Sequence, residues 1–60
     1  MEPEHYRVEM VNGYYALYRR SWTSGVPRME KWEYVDMFFT EAQVRAHIAA
    51  HPAATITWML

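Results

Sequence analysis

His47 and His51 stand four residues apart in the stretch HIAAH. On a helix that spacing turns both imidazoles to one face, where they can share a metal ion, with His5 or Glu41 as a further ligand. The zinc-protease version of the pattern places a Glu directly after the first His, and here Ile48 occupies that position. Two histidines in a last helical turn are equally what the negative end of the helix dipole favours, with no metal involved. That simpler account is preferred, and no metal or other cofactor is expected. Ser21 and Ser24 lie near a turn, where serine serves as a turn former, and no nucleophile stands in a recognisable catalytic setting. Glu30 and Glu33 are most simply solvated acids. Two glycines in the whole chain leave no phosphate-cradling loop. Sixty residues also provide little volume for a pocket that excludes water around a substrate. The expectation is a protein without catalytic residues that is not an enzyme.

The richer chemistry is that of recognition. Five Tyr, three Trp, two Phe and five Met are crowded into one short chain, interleaved with arginines. Tyr, Trp, Met and Arg are the side chains enriched at interfaces, where a rigid ring with a polar tip supplies large contact area at low entropic cost. Aromatics with arginines can also stack unpaired bases and meet phosphates.

These side chains must be positioned by very few elements. HYRVEMV, residues 5–11, alternates apolar Tyr6, Val8 and Met10 with polar partners, the period of a half-buried strand. Asn12-Gly13 follows, the dipeptide best suited to a type I′ hairpin turn, which needs a positive φ at both positions. A two-residue loop sets the register: Val11 opposite Tyr14, Met10 opposite Tyr15, Val8 opposite Leu17, Tyr6 opposite Arg19, and on the second face Arg7 opposite Tyr18 and His5 opposite Arg20. The second strand runs from Tyr14 to about Trp22. TSGVPRMEK, residues 23–31, reads as the long connection of an antiparallel meander, and a third strand spans about Lys31 to Phe39.

FTEAQV, residues 39–44, carries a capping box: Thr40 caps the helix, Gln43 reaches back, and Phe39 is placed to pack on Val44 as a hydrophobic staple. Glu41 suits the first turn. The helix is expected to run to His51, since Pro52 cannot continue it. ATITWML, residues 54–60, alternates again and predicts a fourth strand, parallel to the third through a right-handed helical crossover. The fold class is therefore α+β: a three-stranded antiparallel meander, one helix packed on one sheet face and a C-terminal strand, as a single domain over residues 1–60.

Only Val44 and Ile48 are sizeable apolar residues on the helix, so it covers part of one sheet face and no more. A domain of this length buries only about 60% of its unfolded surface. With no cysteine, it has no disulfide to compensate. If the staple forms, Val35, Met37 and Phe39 turn to the helix side, and Trp32, Tyr34 and Phe38 join Tyr14 and Tyr18 on the other. If the third strand is turned over, the open side gains Val35, Met37 and Phe39 instead. Either orientation leaves an apolar surplus, which on soluble proteins marks an interaction surface, unless the sheet curls and buries its own rings.

The candidate partner-binding residues are Arg7, Tyr14, Tyr18, Arg20, Trp22, Trp32 and Tyr34. The expected partner is a protein, most simply a second copy of the chain in a homodimer. Nucleic acid is the alternative, weakened by a formal charge of −1 and by Glu2, Glu4 and Glu9 among the arginines. Purely structural assembly is a third possibility. In size, near-neutrality and lack of catalytic apparatus, the chain resembles in kind small phage-encoded proteins that bind a host enzyme, a likeness that implies an inhibitor. MEPEHYRVEM lacks the basic start and apolar run of a secretory signal, and no stretch has the length of a transmembrane helix. A cytoplasmic location without membrane contact is expected.

Overall fold

The backbone order is β1 (His5–Val11), β2 (Tyr14–Trp22), β3 (Glu30–Phe38), α1 (Glu41–Ile48) and β4 (Thr55–Met59) in a computed structural model that describes residues 4–51 and 53–60. Glu2 and Pro52 lie outside the described residues. This is the α+β arrangement expected: a three-stranded antiparallel meander, a helix on one face and a C-terminal strand.

The hairpin follows from Asn12-Gly13. Both residues take positive φ, 51° and 82°, and the resulting ladder pairs Val11 with Tyr14, Met10 with Tyr15, Val8 with Leu17, Arg7 with Tyr18 and Tyr6 with Arg19. Because side chains alternate, this register sends Tyr6, Val8, Tyr15 and Leu17 to the helix side.

The strands stand in the order β3-β2-β1-β4. β4 runs in the direction of β3, as a helical crossover requires, but it docks beside β1 at the far edge, with His5 opposite Thr55 and Glu9 opposite Met59. The helix lies across β2 and β3 on its way over the sheet.

Helix α1 starts with the expected capping box: the Thr40 hydroxyl accepts from the Gln43 N–H at 3.2 Å, and Gln43 Oε1 accepts from the amides of Thr40 and Phe39 at 3.2 and 2.8 Å. The staple does not form. Phe39 is 70% exposed and rests against Tyr14, ring centroids 5.1 Å apart, while Val44 is sealed in the core by other residues. The helix also ends at Ile48 rather than His51. The His51 N–H reaches back only three residues, to the Ile48 carbonyl at 2.8 Å, and the His51 carbonyl accepts from Ala54, which bends the chain toward β4. Standing before a proline, His51 is sterically turned away from the α conformation.

The core consists of Tyr6, Val8, Leu17, Val44 and Ile48, with Tyr15, Val35, Phe38, Ala54, Ile56 and Trp58 packed around it. Tyr6 is the one core residue with a polar tip, and its hydroxyl donates to Glu4 Oε2 at 2.9 Å. The same carboxylate oxygen stands 3.0 Å from His51 Nδ1, tying the start of β1 to the turn before β4. Burial, then the hydrogen bond to Glu4 and that carboxylate's charge, hold the Tyr6 phenol above its ordinary pKa of 10.0, against a smaller opposing pull from Arg19. A pKa raised by folding means stability that is whole below the unfolded value and lost as pH climbs through the folded one. The melting midpoint is therefore expected to fall above pH 10, and to fall less steeply in Tyr6→Phe. Equal slopes in the two proteins would show that Tyr6 has no part in alkaline unfolding.

A candidate interaction face

Strand β3 changes phase partway along. Phe38 pairs with Tyr15, Met37 with Ala16 and Asp36 with Leu17, but the next pair is Tyr18 with Tyr34, so Val35 is an extra residue and the strand bulges. The Asp36 carboxylate accepts from the Met37 N–H at 2.7 Å, binding the irregular backbone from its own side chain. Asp36→Ala is expected to destabilise the fold by about 1 kcal/mol, because the Met37 amide next to the bulge loses this acceptor. An unchanged denaturation midpoint would show that the carboxylate is dispensable there.

The bulge decides what each face carries. Before it, Trp32 and Tyr34 point away from the helix; at it, Val35 packs on the core; beyond it, Phe38 points to the helix while Met37 lies opposite Ala16 on the outer side. The continuous alternation expected for this strand is thus corrected, since each of its two orientations holds for only half the strand. Phe38 belongs to the helix side, and Met37 and Phe39 to the open one.

All seven predicted partner-binding residues, Arg7, Tyr14, Tyr18, Arg20, Trp22, Trp32 and Tyr34, share the face opposite the helix by this register. They fall into two groups. At one end the Arg7 guanidinium lies 4.6 Å from the Trp32 ring centroid and 5.6 Å from that of Tyr18. His5 meets Trp32 edge-on at 5.4 Å, and the indole N–H of Trp32 donates to Glu30 at 3.1 Å. Arg20 and Arg28 both lie over Trp22, at 5.4 and 4.7 Å, and Arg20 stands 3.9 Å from Glu30. Arg7 Nε is enclosed without a hydrogen-bond partner among the described residues; the Glu9 carboxylate is 3.8 Å away, too far for one.

The other end is apolar and open. Tyr34 is 57% exposed and leans on Tyr18 at 6.1 Å; the Tyr14 and Phe39 rings stand together; Met37, Val11 and Met59 are also exposed. Ala16, opposite Glu9 on one side and Met37 on the other, is buried on this same face, between Tyr14 and Tyr18 along β2. Met37 and Phe39 are not among the seven partner-binding candidates, and the sequence turns them to the open side only in the second of its two orientations for this strand. The available signal was Asp36, an acid in mid-strand able to bond its own backbone and therefore suited to a bulge.

The candidate metal pair is not assembled. His47 rests against Phe38, ring centroids 5.4 Å apart, whereas His51 lies beyond the helix end on Glu4. Among the described residues no three of His, Cys, Asp and Glu converge on one point, and no helix is long and apolar enough to cross a membrane. Comparison with protein-family models, with curated proteins and with solved structures finds no match to this chain.

Proposed function

We propose that the protein works by protein–protein association through the sheet face opposite the helix, with a second copy of the chain as its first occupant. The observation that carries this reading is the contiguous apolar group of Tyr14, Tyr34, Met37 and Phe39 on a face that no other element covers among the described residues. The four strands, of five to nine residues, outline a face of at most roughly 30 by 19 Å, below the ~800 Å² per partner of a standard interface, so the association is expected to be weak and reversible. Arg7 lies beside Glu9 and Arg20 beside Glu30, so positive and negative groups share the face and two copies can meet without a field of one sign. Those same pairings speak against nucleic acid as the partner, since arginines already shared with carboxylates and rings have less to offer phosphates.

Sedimentation equilibrium from micromolar to millimolar chain tests the reading, and a reversible dimer or higher oligomer is expected. A monomer across the whole range would overturn self-association on this face and leave a foreign protein, as for an inhibitor, as the occupant. Binding to mixed DNA or RNA that weakens steeply with salt would instead favour the nucleic-acid reading.

A further inference from the structure

The two edges of the sheet are built differently. The β3 edge carries Lys31, Glu33 and Asp36 and is broken by the bulge, devices that discourage pairing with another strand. The β4 edge has none of them. Thr55-Ile56-Thr57-Trp58-Met59 is rich in β-branched residues, and residues 53–60 contain no charge, proline or glycine. The Thr55 N–H donates to the Glu4 carbonyl at 2.9 Å, so in a parallel ladder Thr55, Thr57 and Met59 address β1. The amides and carbonyls of Ile56 and Trp58 then point outward, and among the described residues no strand lies there.

A second feature adjoins this edge. Because α1 lies over β2 and β3, the helix side of β4 is only partly covered. A depression of about 230 Å³ opens there, lined by Arg45, Ile48, Ala49, His51, Ala54 and Ile56.

We propose that β4 is a self-pairing edge: two copies join antiparallel about a two-fold axis through Thr57 into one eight-stranded sheet. The register follows from centring the strand on itself. Ile56 and Trp58 of each copy exchange backbone hydrogen bonds with Trp58 and Ile56 of the other, and the two Thr57 residues form the close, non-hydrogen-bonded pair at the centre. Paired residues point to the same side, so each Trp58 indole comes to stand beside the other copy's Ile56, which lines the depression. No like charges meet, because β4 carries none. An edge of five residues with one anchoring ring falls at the small end of interface sizes, so the dimer is expected to be weak and rapidly exchanging. This contact uses an edge and is independent of the open face. If both operate, two eight-stranded sheets stack face to face and the assembly closes as a tetramer.

Cysteine cross-linking reads the register directly, because the chain has no cysteine of its own. Thr57→Cys is expected to oxidise to a disulfide dimer at least tenfold faster than Thr55→Cys or Met59→Cys alone. A mixture of those two should cross-link with each other, since residues 55 and 59 are partners in this pairing. All three positions are exposed, so the fold is expected to survive each change. The cross-links should persist when Tyr34 and Phe39 are replaced by serine, which separates the edge from the open face. Equal oxidation rates at the three positions, or loss of the Thr57→Cys cross-link with those serine changes, would overturn the proposal.

Discussion

Leu17→Ala is expected to leave the chain largely unfolded at 25 °C. Leu17 is fully enclosed, stands opposite Val8 on one side and the β3 bulge on the other, and belongs to a core cluster of five buried residues among those described. Truncating a buried leucine costs about 2–5 kcal/mol, the lost transfer free energy plus the cavity left behind. A single core in a domain this small supplies roughly 3–5 kcal/mol, so the substitution removes most of the margin. Leu17→Met keeps the volume and should cost less than about 1.5 kcal/mol. Thermal unfolding followed by circular dichroism separates the two, with a cooperative transition for Met and a flat, low-signal trace for Ala. Both proteins should be compared at two concentrations, because association adds stability by mass action and can refold a marginal variant. An Ala variant melting within a few degrees of the parent would mean that the five-residue core does not carry the fold.

Replacing Tyr34 and Phe39 by serine is expected to weaken self-association at least 100-fold while leaving the monomer's stability nearly unchanged. Both rings are more than half exposed, so their removal opens no cavity. An aromatic anchor truncated at the centre of an interface costs about 2 kcal/mol or more, and because such losses are not additive the pair is credited with less than twice that. These positions are cleaner probes than Trp32 and Tyr18, two of the seven partner-binding candidates read from the sequence. Trp32 and Tyr18 flank the Arg7 guanidinium, so their loss would disturb the face itself. Sedimentation of the double variant beside the parent gives the answer. Unchanged association would transfer the interface elsewhere, with the β4 edge as the next surface to probe.

Much of the architecture is written locally in the chain. Asn12-Gly13 imposes positive φ at two adjacent positions, and a two-residue loop with alternating neighbours then has one good register. Thr40 and Gln43 satisfy each other's amides within four residues, so the start of α1 needs no tertiary information. The scarcity of apolar residues on that helix is likewise legible locally, and with it the limit that one helix covers part of one sheet face.

What the sequence alone did not determine depends on contacts between distant segments. The orientation of Phe38 and Phe39 turns on a single extra residue at Val35, and a bulge is favoured only when the neighbouring strand and the core are in place to receive both halves. The helix end depends on where the chain must turn to reach β4, and the staple yielded to a Tyr14 ring more than twenty residues away. The docking of β4 beside β1 rather than β3 is tertiary for the same reason: Ile56 and Trp58 are apolar on the correct side for either neighbour, and β1 is where Val8 and Tyr6 extend the helix-side core to receive them. Periodicity of two specifies which residues share a face within a strand, but it carries no information on which strand lies alongside.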